Sequence, residues 1–459
     1  MFKKNDTCKV LIVDIGKDGE GIGKAQGFTF FVPNALPDEE IIIKVLKVKK
    51  NYGYGMILEI IKPSPIRTQP ACNMFSKCGG CNIMNMDYKA QLAYKEKKVK
   101  DSLERIGGFC DISDKISSII GMSKPFFYRN KVQIPIREEN GEIKAGFFAR
   151  NSHRIVDVSD CKIQPNISKN IVDTVITYMK QYDIKAYNEE THSGTIRHIL
   201  IKYGFKTNEI MVCLVANLSK TKNLENEESL IKELLKINGI ASISINYNKE
   251  KTNVILGKHT RCIYGNLYIK DYIGEIVFNI SPLSFYQINP MQTNILYDTV
   301  LDFCKLSGNE VVVDAYCGVG SISLYIAKHA KKVVGIEVVE AAVKDAVINA
   351  KNNDINNTEF ILGDVEDVMP ILNICPNVII VDPPRKGCDI KLIESILETN
   401  APKIVYVSCN PDTLARDLKI LCKNKYEIKK IQPVDMFPHS FHVENVVLLE
   451  DVSGEISYD

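Results

Sequence analysis

The last third of the chain constrains the fold most. From about Phe278 it alternates short apolar strands with amphipathic helices, the pattern of a parallel sheet with helices on both faces. A polar or reactive residue stands where each strand ends. EVVVDAYCGVGSISLYIAKHA reads as a strand, a glycine turn at Gly318-Val319-Gly320 and a helix. KVVGIEVV ends on Glu337, 19 residues after Gly318, and TEFILGDVEDVM ends on Asp364. NVIIVDPPRKG places Asp382 before a Pro-Pro turn, and KIVYVSCNPDTLARDLKIL places Cys409 between a strand and a helix. In an open parallel sheet, ligands bind in the crevice beyond the carboxyl ends of the strands, so these residues define one expected site.

The turn and its acids select the ligand. A dinucleotide fold wants G-x-G-x-x-G, and here the third glycine position holds Ser323. An acid about 20 residues beyond the glycines suits ribose hydroxyls, and the acid at Asp364 suits an adenine amino group. Ribose and adenine without a pyrophosphate point to S-adenosylmethionine (SAM). Amino-methylating enzymes follow a similar Asp-Pro-Pro turn with an aromatic residue that stacks on the base. Arg385 stands there instead.

Cys409 precedes Asn410, Pro411 and Asp412, a cap, a first-turn proline and a first-turn acid. The positive end of that helix is expected to lower the thiol pKa and favour thiolate. A thiolate explains how a methyl group could reach carbon 5 of a pyrimidine: addition at carbon 6 makes carbon 5 nucleophilic, and a base then removes the carbon-5 proton. VDMFPHSFHVENVVLLE offers Glu444 as that base, with His442 as competitor and His439 nearby.

Upstream, Val10 to Ile61 carries short β-rich runs broken by Gly and Pro, as in a small β-barrel. From Ile41 to Arg67, Lys44, Lys47, Lys49, Lys50, Lys62 and Arg67 cluster with Tyr52 and Tyr54 against one acid, Glu59. Charge for phosphates and rings for bases suit RNA, and a solvated barrel face is the alternative. Formal net charge is only +2, so a basic face has to be local. After KPSPIRTQP, a mixed helix–strand region carries ACNMFSKCGGCNIM and VSDCKIQP. Cys72, Cys78 and Cys81, with five and two residues between them, and the distant Cys161 could enclose zinc or a four-iron cluster. The amides of Gly79 and Gly80 would suit an anionic cluster. Fourteen cysteines in 459 residues are too few for a disulfide scaffold, so a reducing compartment is expected. No signal peptide is recognisable, and no run of 18 apolar residues occurs.

SPLSFYQINPMQTNILY, DAYCGVGSISL, VGIEVVEAAV, VDPPRKG, VSCNPDTLARDL and DMFPHSFHVENVVLLE resemble the motifs of the SAM-dependent uracil-5 RNA methyltransferases, the group holding the bacterial 23S rRNA and tRNA enzymes. IGKDGEGIGKAQGFTFFVPNALPDEEI looks like a TRAM domain, an RNA-binding β-barrel. The resemblance implies Cys409 as nucleophile, Glu444 as general base, and Gln287, Tyr316, Glu337, Asp364 and Asp382 as SAM-binding residues. It favours [4Fe-4S] over zinc at the four cysteines. It also places Arg129, Asn130, Lys131, Arg197 and His198 near RNA.

The expected architecture is therefore α/β in three parts. They are a TRAM barrel (1–62), a central α+β region with the cysteine site (63–277) and a Rossmann-like class I methyltransferase domain (278–459). The expected activity is 5-methyluridine formation in RNA, with 23S rRNA favoured by the barrel and the cysteine quartet. The enzyme is expected to be cytoplasmic and monomeric, with no membrane partner. The alternatives are a tRNA uridine-5 enzyme, an RNA cytosine-5 enzyme and a catalytically silent assembly factor.

Overall fold

The computed structural model describes residues 2–453 except 151, 153, 158, 159, 373 and 424. Strands β1 (Thr7–Ile15), β2 (Gly21–Ala25), β3 (Phe28–Val32), β4 (Glu40–Val48) and β5 (Tyr52–Lys62) close into a barrel in the order β1-β2-β3-β5-β4. Alternate residues point inward, and Val10, Ile12, Phe30, Val32, Ile41, Ile43 and Val45 fill the interior. The repeat Tyr-Gly-Tyr-Gly on β5 follows from this. A Cβ at Gly53 would lie 2.7 Å from Phe30, and one at Gly55 would lie 2.5 Å from Ile43. Glycine on the inner positions leaves Tyr52 and Tyr54 facing out.

After the barrel comes helix α1 (Tyr88–Ser102), capped by Asp87 and continued by a wide turn over 103–107. A second sheet takes β6 (Lys131–Glu139), β7 (Glu142–Phe148), β8 (Ile155–Asp157), β9 (Ile196–Tyr203), β10 (Ile210–Ala216), β11 (Ile240–Tyr247) and β12 (His259–Gly265), in the order β12-β11-β10-β9-β6-β7-β8. Helices α2 (Ser168–Gln181) and α3 (Glu227–Leu234) contribute to its core.

The span 63–277 is not one structural unit. Val99, Leu103 and Ile112 lie in the C-terminal core, because their apolar side chains face that domain rather than the central sheet. The hairpin β13 (Ile269–Ile273) and β14 (Ile276–Ile280) straddles residue 277, and its apolar residues also join a C-terminal core.

The C-terminal sheet contains β15 (Val311–Ala315), β16 (Lys332–Glu337), β17 (Thr358–Leu362), β18 (Val378–Val381), β19 (Lys403–Ser408), β20 (Tyr426–Val434) and β21 (Glu444–Asp451). Its order is β17-β16-β15-β18-β19-β21-β20. The first five of these strands run parallel, and β21 inserts antiparallel between β19 and β20. Two apolar cores, one including the helix α4 (Pro290–Cys304), pack against this sheet. Strand β18, Val-Ile-Ile-Val, is accordingly buried throughout. The order turns back between β15 and β18, which opens the crevice in which such sheets hold ligands. Helices α5 (Ser321–Ala327), α6 (Glu340–Asn352), α7 (Val365–Val368), α8 (Ile390–Glu398) and α9 (Pro411–Leu421) complete the domain. Among the described residues no helix is long and apolar enough to cross a membrane.

Candidate active site at the carboxyl ends of the strands

The turn after β15 is built around Glu337. Its carboxylate accepts from the Gly318 amide at 3.0 Å and the Val339 amide at 2.8 Å, so the acid ending β16 is tied to the glycine turn. Gly320 has φ +77°, and a Cβ there would lie 2.9 Å from the Phe360 ring. Only glycine fits both the backbone and the space. Tyr316 also takes a left-handed backbone, φ +67°, and its hydroxyl donates to Glu366 at 2.9 Å.

Ser323, which replaces the third glycine of a dinucleotide motif, donates to buried Asp314 at 2.5 Å. Sequence reasoning missed Asp314, although one acid inside Val-Val-Val-Asp-Ala is the signal of a buried polar contact. Gln287 precedes α4, and its side chain lies near the Tyr297 hydroxyl. Tyr297 in turn meets the Ser321 hydroxyl at 2.8 Å, where α5 begins. Asp364 stands apart from this network, exposed at the end of β17.

The second half of the crevice gathers two acids and a thiol. Asp382 ends β18, Cys409 follows β19, and Glu444 begins β21. Asp382 and Glu444 both act electrostatically on Cys409, with Arg385 opposing them. Burial first, then the Asp382 charge, pushes Glu444 up to about 8. Burial and the charge of Asp314 push Asp382 up to about 7. Asn410 caps α9 as expected, accepting from the Asp412 amide at 3.2 Å. The expected low thiol pKa is corrected, however. Burial, Glu444 and Asp382 together push the Cys409 thiol up to about 11. A helix end supplies only partial charge, and two nearby carboxyls outweigh it.

The histidines sort themselves by environment. His442 packs against Phe441 and Phe437, and burial with the charges of Arg385, Lys98, Lys95 and Arg129 pulls it down to about 4. His439 is a structural residue. Its backbone amide donates to Gln91 at 3.0 Å and its ring stacks on Phe126. A base works best with a pKa near ambient pH, which favours Glu444 over His442. The loop between β20 and β21 is anchored by a pair that sequence reasoning missed. Fully buried Lys95 on α1 meets Asp435 at 2.5 Å and donates to the Phe437 carbonyl at 3.0 Å.

Cys72, Cys78, Cys81 and Cys161 line one cavity of about 250 Å³ together with Arg129 and Ile288. After burial, the three other thiols raise the Cys81 thiol to about 12, so the four are electrostatic neighbours. The Gly80 amide lies 3.4 Å from the Cys78 sulfur, whereas the Gly79 amide is used by the Phe148 carbonyl. Among the described residues no group of three or more His, Cys, Asp or Glu is arranged to hold a single metal ion. The expected metal set is therefore seen as a shared cavity rather than a closed ion site. Two residues expected near RNA lie inside the fold. Arg197 is buried, donating to the carbonyls of Asn248 and Glu250, and His198 is buried beside it. Neither faces RNA.

Comparison with known proteins agrees with this geometry. The family model of tRNA (Uracil-5-)-methyltransferases matches residues 87–452, and the TRAM domain model matches residues 2–58. An RNA methyltransferase of Clostridium tetani is 45% identical, with 97% of each chain covered. One from Halalkalibacterium halodurans is 46% identical, again over 97% of each chain. The crystal structure of Pyrococcus abyssi tRNA (uracil-54, C5)-methyltransferase with S-adenosyl-L-homocysteine superposes with a TM-score of 0.78 at 28% identity. That match covers 96% of this chain and 100% of the other. With a glycine turn, strand-end acids and a barrel all placed as such enzymes need them, the chain belongs to the SAM-dependent RNA (uracil-5-)-methyltransferases.

Proposed function

We propose that the protein methylates carbon 5 of a uridine in 23S rRNA through a covalent bond between Cys409 and the base. The observation that carries this reading is the meeting of Cys409, Asp382 and Glu444 at the ends of three neighbouring strands. SAM, when bound, supplies the methyl group and a positively charged sulfur. Gln287, Tyr316, Glu337, Asp364 and Asp382 are the residues proposed to hold it. The Cys409 sulfur, as thiolate, adds to carbon 6 of a flipped-out uracil, and carbon 5 becomes nucleophilic and would take the methyl from the SAM sulfur, leaving S-adenosylhomocysteine. Glu444 then removes the carbon-5 proton, the carbon–sulfur bond breaks, and the thiolate is released. A positive charge in the crevice lowers the acids around it, which offsets their raised values in the ligand-free protein.

Glu444→Gln is expected to accumulate a covalent protein–RNA adduct, stable to denaturing electrophoresis, and Cys409→Ala to form none while still binding S-adenosylhomocysteine. Turnover by either variant at the parent rate removes the scheme.

The four cysteines are proposed to hold a [4Fe-4S] cluster. A cavity of about 250 Å³ lined by all four cysteines suits a group larger than one zinc ion. Full-length likeness to a tRNA enzyme favours a second reading, tRNA as substrate. Mapping 5-methyluridine in 23S rRNA and tRNA of a deletion strain decides between the two: loss from tRNA alone overturns the rRNA assignment.

A further inference from the structure

Residues 122–130 touch the cysteine cavity on one side and both halves of the active site on the other. On the cavity side, Met122 and Tyr128 form a small core with Phe75, Met84 and Ile163, against which Cys72, Cys81, Cys161 and Phe126 pack. The Phe127 amide donates to the Lys162 carbonyl at 2.8 Å and the Arg129 amide to the Ile163 carbonyl at 3.0 Å, directly after Cys161. On the other side, buried Asn130 grips the loop before α4. Its amide donates to the Ile288 carbonyl at 2.9 Å, and its side-chain nitrogen donates to the Gln287 carbonyl at 2.7 Å. The same segment holds the loop leading to Glu444. The Tyr128 hydroxyl donates to the Pro438 carbonyl at 3.1 Å, and Phe126 stacks on His439 with ring centres 4.7 Å apart.

We propose that segment 122–130 is a strap through which the filled cysteine cavity positions the Gln287 loop and the Glu444 loop. Asn130 is the positioning residue for the first and Tyr128 for the second. The argument is mechanical. Side chains of the strap share a core with the cysteines, so a group bound by those thiols stiffens the strap. Hydrogen bonds from the Asn130 amide and side chain and from the Tyr128 hydroxyl then pass that stiffness to two loops, the second of which is also held at the His439 carbonyl by the amides of Asn82 and Ile83, directly after Cys81. The inference rests on the roles proposed above for Gln287 and Glu444.

Full-length protein purified without oxygen provides the test. Asn130→Ala is expected to weaken S-adenosylhomocysteine binding by about tenfold in calorimetry, with iron content and visible absorption unchanged. Tyr128→Phe keeps the ring in the small core and is expected to slow release of the Cys409–RNA adduct without changing that affinity. Chelating the iron from the parent protein is expected to weaken binding in the same direction as Asn130→Ala. If Asn130→Ala does not fold, Asn130→Asp keeps the size and turns a donor into an acceptor facing the Gln287 carbonyl. Parent-like affinity in the Asn130 variant, alongside weakened binding in Gln287→Ala, overturns the strap. Parent-like affinity in Gln287→Ala itself overturns the cofactor reading instead.

Discussion

At the scale of single residues, the site concentrates acids that hold their protons. Asp314 and Asp382 are pushed up to about 7 and Glu444 to about 8, all mainly by burial. In the unfolded chain such groups titrate near ~3.9 for Asp and ~4.3 for Glu. Each therefore binds its proton more tightly in the folded state. Its contribution to stability is complete below the unfolded value and is lost progressively as pH rises to the folded one. The ligand-free protein should thus lose stability between about pH 4 and 8. Glu444→Gln cannot lose that proton, so its melting temperature is expected to fall less steeply over this window and to exceed the parent's at pH 8. Parallel melting curves for the two proteins would show that Glu444 does not titrate there. With Glu444 as the base proposed above, the parent's methyl transfer should rise with pH as Glu444 ionises.

At the scale of elements, α9 does more than present Cys409. One face of it holds the loop that follows Asp382. Asn410 and Thr413 donate to the Arg385 carbonyl at 3.1 and 3.3 Å, and Arg416 donates to the carbonyls of Lys386 and Cys388. Buried Asp417 accepts from the Cys388 amide at 2.8 Å and the Tyr406 hydroxyl at 2.7 Å. Asp417→Asn turns part of an acceptor into a donor facing two donors. It is expected to cost about 1–3 kcal/mol in urea unfolding and to slow adduct formation more than it weakens S-adenosylhomocysteine binding. An unchanged unfolding midpoint would mean the loop is held by Asn410, Thr413 and Arg416 without Asp417. VDPPRKG and SCNPDTLARDL were each legible in the sequence as a strand end. Their union was not, because it depends on which helix face meets a loop some 25 residues upstream. The raised thiol was illegible for the same reason: Asp382 and Glu444 approach Cys409 only through the sheet order.

At the scale of the whole molecule, alternation and turn residues made the barrel and the parallel sheet legible, since both obey local periodicity. The edge between middle and C-terminal parts was not, because α1 and the β13–β14 hairpin pack on cores distant in sequence. The basic cluster of the barrel likewise divides only in three dimensions. Arg67 is committed to buried Glu39 and the Asn34 carbonyl, and so belongs to the fold. Lys47, Lys49, Lys50 and Lys62 are exposed. Lys47 on β4 stands opposite Tyr54, which stands opposite Phe31 on β3, giving a cation and two rings in one row across three strands. The rings of Phe31, Tyr52 and Tyr54 lie 5.5 to 6.0 Å apart, a ready stacking platform. Charge and stacking leave different signatures in RNA binding. Removing a lysine that meets a phosphate lowers the salt slope of log affinity by about 0.7 to 0.9, and removing a stacking ring costs ~1–3 kcal/mol at every salt concentration. Lys47→Ala combined with Lys49→Ala should therefore flatten the salt dependence, whereas Tyr54→Ala should shift it downward in parallel. Affinity for S-adenosylhomocysteine should be untouched in both, because the row lies on the barrel and outside the crevice. If salt slopes and affinities match the parent in both variants, the RNA path runs elsewhere and the row is only the solvated face of a barrel.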